Sequence, residues 1–296
     1  MDLQQMRYVV AVADTLSFTR AAERCRVVQS ALSHQIAKLE RELGTQLFER
    51  SSRSVRLSNA GRAFLPSARQ ALDAAERAKA EVAAATGEIR GRLAVGAFNA
   101  LTSIDVPELL AGFHRDHPHV RIALRAYFSE QMVGLVRDGE LDLAFLGLPP
   151  SHRTPGVSER DLGRDRLAAL VRPDHPLAGH TEVDLTLLAG EAFVDFPRGT
   201  AARAQSDEAF AAAKLDREVS FEAGGTEFLI RMVRAGFGVG MLPAPFARQF
   251  SGLRVIPVRD APTRMERLIW SASTPSPAAQ AFLDRVFAYL STRSAE

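Results

Sequence analysis

The stretch from residue 18 to residue 40, FTRAAERCRVVQSALSHQIAKLE, decides the fold of the first part of this chain. Apolar residues recur in it at helical spacing, in two blocks that a short polar stretch separates. Ser17 is placed to cap the first block as a helix, and Gly44 is placed to end the second. A similar apolar series between Leu3 and Ala13 precedes them. The first fifty residues therefore predict three short helices.

The second block has two unlike faces. A helix that enters the major groove of DNA presents polar side chains to base edges while its other face packs on the domain. Leu32, Ile36 and Leu39 form the apolar face, and Gln29 can read adenine through two hydrogen bonds. The alternative is an amphipathic helix whose polar side is merely solvated, but the neighbouring turn and wing favour DNA. The predicted contacts on this helix are Gln29, Ser30, Ser33, His34 and Lys38.

A polar, β-branched stretch with apolar ends follows, from Leu47 to Leu57, and predicts a hairpin wing. Arg50, Arg53 and Arg56 recur in it at three-residue steps, which suits contact with phosphates or the minor groove. The alternative is an ordinary solvated hairpin in which Arg50 stabilises the fold instead of contacting DNA. Arg53 is the strongest candidate of the three.

The chain becomes rich in alanine between Ser58 and Thr86, with apolar residues at alternating steps of three and four. Lys79 interrupts this heptad seam and Pro66 should bend its beginning, so we expect a short contact with a partner helix. The seam predicts a dimer. Its positions are Leu65, Ala68, Leu72, Ala75, Lys79 and Val82.

From Gly91 onward, strand-like runs such as LAVGAF and LDLAFLGL alternate with helical ones. Such alternation is typical of βαβ units and a parallel sheet. The simplest arrangement is two similar lobes with a cleft between them.

The composition excludes several classes of function. At 296 residues the chain is long enough for two domains, and 37 Lys and Arg against 35 Asp and Glu leave no uniformly basic surface. The single cysteine, Cys25, excludes an internal disulfide and a cysteine-pair switch, and indicates the cytoplasm. We expect no membrane span, no secretion signal, no cofactor and no metal, since the seven histidines show no ligand spacing.

Residues 18–40 resemble the helix-turn-helix of LysR-type transcription regulators, and the resemblance continues through Leu47–Arg50 and Leu57–Gly61. Later phrases, Pro107–Phe113 and Gly236–Pro243 among them, resemble the effector domain of the same family. The resemblance implies an α+β fold: an N-terminal winged helix-turn-helix, a long linker helix and a two-lobed α/β effector domain resembling type 2 periplasmic binding proteins. His34 stands where many members carry arginine, which weakens a phosphate or guanine contact.

The expected boundaries follow from these patterns. The DNA-binding domain takes residues 1–58, the linker and dimerisation helix 59–87, and the effector domain 91–296. Within the last, lobe I comprises about 91–161 and 268–296, and lobe II about 162–267.

The resemblance also implies which residues meet a small molecule in the cleft. Ala100 stands where relatives often present a hydroxyl. Ser129 stands at the start of a helix, where its hydroxyl and free backbone amides could hold a carboxylate, and Arg198 would be the counter-ion of an acid, so we expect an anionic effector. Ser129 and Thr226 could equally be helix caps. The full predicted set is Asn99, Ala100, Leu101, Thr102, Ser129, Pro197, Arg198 and Thr226.

The leading hypothesis is a cytoplasmic homodimer or homotetramer that binds a partly palindromic site in double-stranded promoter DNA under the control of a small-molecule effector. An enzyme is disfavoured because the sequence shows no acid, base or nucleophile constellation, nucleophile elbow or phosphate loop. A solute-binding protein is disfavoured because no signal peptide is evident. A regulator without an effector would have a cleft filled by its own side chains.

Overall fold

A computed structural model describes residues 1–50 and 54–293 of the chain. It divides into two compact units, Met1–Gly91 with Asp138–Glu140, and Arg92–Arg137 with Leu141–Glu296. The helices are α1 (Leu3–Thr15), α2 (Phe18–Cys25), α3 (Gln29–Leu43), α4 (Asn59–Ala85), α5 (Val106–Asp116), α6 (Ser129–Arg137), α7 (Leu185–Ala189), α8 (Ala201–Ala212), α9 (Thr226–Arg234), α10 (Ala244–Ala247) and α11 (Pro277–Arg293). The strands are β1 (Phe48–Arg50), β2 (Val55–Leu57), β3 (Gly91–Ala97), β4 (Val120–Ala126), β5 (Leu143–Leu148), β6 (Val157–Val171), β7 (Ala192–Asp195), β8 (Glu218–Glu222), β9 (Gly240–Pro243), β10 (Arg254–Pro257) and β11 (Thr263–Ser271).

The three predicted helices of the first unit are confirmed, together with the residues that limit them. The hydroxyl of Ser17 accepts a hydrogen bond from the Arg20 amide at 3.3 Å and begins α2. Gly44 ends α3 with a φ of 70°, in the left-handed region where glycine is unstrained. Leu32, Ile36 and Leu39 of α3 are completely buried against α1 and α2.

The predicted wing is an antiparallel pair of strands. Phe48 of β1 lies opposite Leu57 of β2 and is 1% exposed, so the base of the hairpin belongs to the core. The Glu40 carboxylate accepts from the amides of Leu47 at 2.8 Å and Phe48 at 3.2 Å. These two bonds fix the start of the wing to α3.

The long helix α4 begins directly against the wing. Ser58 caps it, since its hydroxyl accepts from the Gly61 amide at 3.0 Å. A Cβ atom at Gly61 would lie 2.1 Å from the Leu47 carbonyl oxygen, so only glycine allows this close approach.

The second unit is built on a seven-stranded sheet in the order β10-β6-β11-β5-β3-β4, with β9 also paired to β6. The predicted parallel arrangement holds for β3 and β5, but β11 runs antiparallel to both β5 and β6. The sheet is therefore mixed. The long strand β6 pairs with β11 along its first part and with β9 and β10 along its last.

Within residues 1–50 and 54–293, none of the helices combines the length and apolar character needed to span a bilayer. The same residues contain no group of three or more His, Cys, Asp or Glu side chains placed to hold a metal ion.

Candidate functional sites

The first candidate site is the outer face of α3. Gln29, Ser30, His34 and Lys38 are exposed there and Ser33 is half-buried. The residue that precedes the helix, Val28, is 68% exposed and supplies no side-chain cap. A helix end whose first amides lack a side-chain acceptor favours an anion such as phosphate.

Two buried polar contacts hold this face in place, and sequence reasoning assigned neither. Gln5 of α1 is 2% exposed, and its side-chain amide donates to the side-chain oxygen of Gln35 in α3 at 3.3 Å. Glu40 ties the other end of α3 to the wing, as described above. A polar residue inside an apolar helical stretch was the available signal for Gln5.

The wing contributes one described candidate. Arg56 is exposed and lies opposite Glu49 across the hairpin. The whole of Arg53 and the side chain of Arg50 lie outside the described residues.

The second candidate site is a cavity of about 370 Å³ within the second unit. Its walls are largely apolar and carry the rings of Phe98, Phe128 and Phe196. A volume of this size suits a small molecule. The lining residues come from 98–100, 126–131, 224–226 and 241–243, together with Gly147, Leu167, Phe196, Ala202, Gln205 and Arg264.

The structure brings together only part of the predicted effector set. Asn99, Ala100, Ser129 and Thr226 line the cavity, and the residues absent from its lining are Leu101, Thr102, Pro197 and Arg198. The Arg198 side chain is exposed, and its backbone amide donates to Glu222 at 3.3 Å. The cation that was expected to pair with an anionic effector therefore does not line the cavity.

Thr102 is held by an internal carboxylate instead. Glu266 of β11 is 1% exposed and accepts from the Thr102 amide at 2.8 Å and from its hydroxyl at 3.0 Å. Its other oxygen accepts from the Ser103 amide at 2.8 Å. The amides of Thr102 and Ser103 and the Thr102 hydroxyl are thus already satisfied by the chain itself.

Arg264 of β11 lines the cavity and is 3% exposed. Its guanidinium contacts Asp165 and Glu266 at 2.5 Å each and donates to the Ala100 carbonyl at 2.8 Å. It also lies 4.9 Å from the centre of the Phe98 ring. Burial raises the pKa of Asp165, although Arg264 opposes that effect. Sequence reasoning missed this network, for which the signal was charged residues within two strands.

Three polar side chains complete the lining. Ser129 is engaged with the sheet, because its hydroxyl accepts from the Gly147 amide at 3.0 Å. Glu130 of α6 accepts from the Ala201 amide at the start of α8, also at 3.0 Å. Gln205 of α8 is 5% exposed, and its side-chain amide has no hydrogen-bond partner among the residues that the structure describes.

Two family models match the chain. Residues 3–62 match the "Bacterial regulatory helix-turn-helix protein, lysR family" and residues 86–291 match the "LysR substrate binding domain". The HTH-type transcriptional regulator ShiR of Corynebacterium glutamicum (strain R) is 36% identical over 244 residues, which are 81% of this chain and 82% of that relative.

Two further relatives match over more of the chain. A hydrogen peroxide-inducible genes activator of Pectobacterium carotovorum subsp. carotovorum is 31% identical over 280 residues, which are 93% of this chain and 92% of that relative. A solved structure of full-length OxyR from Pseudomonas aeruginosa, in a variant form, superimposes with a TM-score of 0.75 at 29% identity, covering 97% of this chain and 94% of that one.

Proposed function

Because this chain belongs to the LysR family of DNA-binding transcription regulators, we propose that α3 enters the major groove of promoter DNA and reads its sequence. The observation that carries this proposal is the two-sided character of α3. One face is completely buried at Leu32, Ile36 and Leu39, while the opposite face offers exposed polar side chains.

Each polar residue has a distinct proposed role. Gln29 reads adenine through its amide, and Ser30, Ser33 and His34 contact base edges beside it. Lys38 contacts a phosphate, and the wing arginines Arg50, Arg53 and Arg56 contact phosphates or the minor groove. The buried contacts of Gln5 and Glu40 support these contacts by fixing the direction of α3 and the wing.

We further propose that two copies of the chain bind a partly palindromic site, as a homodimer or within a homotetramer in the cytoplasm. The predicted seam on α4 supports this proposal, since Leu65 and Leu72 are half-buried and Val82 is 70% exposed in the single chain. Residues 1–58, 59–87 and 91–296 serve as DNA-binding, dimerisation and effector domains.

The cavity of the second unit is the proposed effector site. A regulator that acts without an effector would fill this space with its own side chains, and the open volume of about 370 Å³ disfavours that alternative. Of the predicted contacts, we retain Asn99, Ala100, Ser129 and Thr226. The ligand alters DNA binding only as far as it prefers one arrangement of the DNA-binding domains over another.

The test is a fluorescence-anisotropy titration of the full chain against the DNA upstream of its own gene, with a scrambled duplex of equal composition beside it. We expect tight binding to the natural duplex, weak binding to the scrambled one, and a steep loss of affinity with salt. Equal, salt-sensitive binding to both duplexes would reduce the protein to a nonspecific DNA binder.

A further inference from the structure

We propose that the cavity binds an uncharged ligand that carries a carboxamide, or a comparable pair of hydrogen-bond donor and acceptor, on a small apolar frame. The proposal rests on the proposed function, because it specifies the effector of the same site. It differs from the sequence-based expectation of an anionic effector, for which Arg198 was the expected counter-ion.

Carboxylates outnumber cations at and beside the cavity. Among the lining residues that the structure describes, Arg264 is the only cation, and its guanidinium is already shared by the carboxylates of Asp165 and Glu266. Glu130 brings a further carboxylate to the lining. A ligand anion would meet repulsion here without gaining a free counter-ion, and charge interactions are strong where water is excluded.

The chain's own carboxylates already occupy several backbone donors beside the cavity. Glu266 takes the amides of Thr102 and Ser103, at 2.8 Å each. Glu130 takes the Ala201 amide at the start of α8, where the helix dipole also stabilises its charge. Since this carboxylate is already compensated, it offers a ligand cation little gain either.

The side-chain amide of Gln205 supports a ligand that both donates and accepts hydrogen bonds. It is 5% exposed, faces the cavity and lacks a partner in the described part of the chain. This amide offers both donors and an acceptor to a ligand. A carboxylate could accept from it but could not donate to it. A ligand carboxamide can both accept a hydrogen bond from the Gln205 amide and donate one to it.

A second source of donors faces the same cavity. Gly225 and Thr226 form the start of α9, a nine-residue helix that has no side-chain cap. A ligand carbonyl can accept from the unpaired amides of this first turn while its NH₂ group meets Gln205. The two observations together define a polar end of the cavity.

The rest of the lining selects an apolar frame. Phe128 and Phe196 lie edge to face with their ring centres 6.5 Å apart, and Phe98 lines the cavity beside Arg264. Aromatic rings of this kind bind flat apolar groups. The volume of about 370 Å³ limits the frame to one or two rings.

The experiment uses three matched probes, benzamide, benzoate and benzylamine, and their naphthalene counterparts, titrated into the full chain by calorimetry at neutral pH. We expect the amide of each series to bind at least about tenfold tighter than the acid or the amine, since one satisfied buried amide is worth about that factor. A tighter acid or amine, or no measurable binding by either amide, would overturn the proposal.

Three variants test which groups produce the preference. Gln205→Leu preserves most of the volume and should abolish the preference for the amides, while Gln249→Leu at an exposed position should retain it. Glu130→Gln should weaken the discrimination against the acids by several-fold, because it removes one carboxylate from the lining. An unchanged preference in Gln205→Leu would contradict the role of that amide.

The same preparation is titrated with promoter DNA. Specific DNA binding combined with failure of the amides would reject the ligand class alone. Absence of specific DNA binding by the wild-type chain would reject the proposed function, whatever the ligands do.

Discussion

The α3 surface and the cavity present their polar groups in opposite ways. The α3 surface is convex, and one helix of fifteen residues supplies its polar side chains to solvent. The cavity is concave, and its lining is drawn from segments between residues 98 and 264. Polar groups on α3 are exposed to solvent, whereas Ser129, Glu130 and Arg264 of the cavity already bond to other groups of the chain.

This difference determines what a substitution does at each place. On α3, we expect the removal of an exposed side chain to weaken DNA binding and to leave the fold intact. In the cavity, removing one charged group leaves its former partners buried without compensation, so the cost falls on stability as well as on binding.

The largest expected effect is that of Gln29→Ala on DNA binding. A two-point base contact is worth about 1–3 kcal/mol, and a symmetric dimer loses it twice, so specific affinity should fall by roughly a hundredfold or more. Anisotropy titration measures this loss, with Gln249→Ala as the matched control. Ligand binding and thermal stability should be retained. Parallel loss of both would indicate misfolding rather than lost base recognition.

The same contrast explains how much could be predicted from the sequence. The helices, their caps and the exposed face of α3 follow from local spacing, because residues four apart on one helix share a face. Arg264, Asp165 and Glu266 could not be found in this way. They lie on β6 and β11, and only the antiparallel pairing of those strands brings them together.

The cavity lining was predicted least well where it depends on distant segments. Asn99 and Ala100 follow the first strand of the effector domain, so a family resemblance could place them. Gln205 lies on the first turns of α8, in an alanine-rich stretch without any motif, and only the fold turns its amide toward the cavity.

The second prediction concerns stability. Arg264→Met leaves two buried carboxylates without their cation and should lower the free energy of unfolding of the second unit by about 3–5 kcal/mol. Denaturation followed by the fluorescence of Trp270, the single tryptophan and a residue of β11, reports on that unit. Arg259→Met breaks an exposed ion pair with Glu182 and should cost less than about 1 kcal/mol. Equal losses of stability in the two variants would show that Arg264 does not compensate the two buried carboxylates.

The third prediction concerns pH. Because burial raises the pKa of Asp165 in the folded chain, its contribution to stability is full below about pH 4 and is lost as the pH rises through the folded pKa. Asp165→Asn has no titrating carboxyl at this position, so it does not lose this stability as the pH rises. The free energy of unfolding of the variant, relative to wild type, should therefore increase with pH across the acidic range.

The same Trp270 signal, recorded at a series of pH values, measures this difference. Asp284→Asn, at an exposed position on α11, is the matched control. A difference between Asp165→Asn and wild type that stays constant with pH would contradict the raised pKa.

The smallest expected effect is that of Cys25→Ser, and it separates this chain from a thiol-based sensor. A relative is named as a hydrogen peroxide-inducible activator, yet the single cysteine here lies in the DNA-binding unit, and the cavity-bearing unit has none. Cys25 is half-buried beside α1, and burial raises the pKa of its thiol, which keeps the reactive thiolate scarce. Treatment with hydrogen peroxide should therefore change promoter affinity by less than about twofold in wild type and variant alike. A large change in wild type that Cys25→Ser abolishes would move the sensing function from the cavity to the DNA-binding unit.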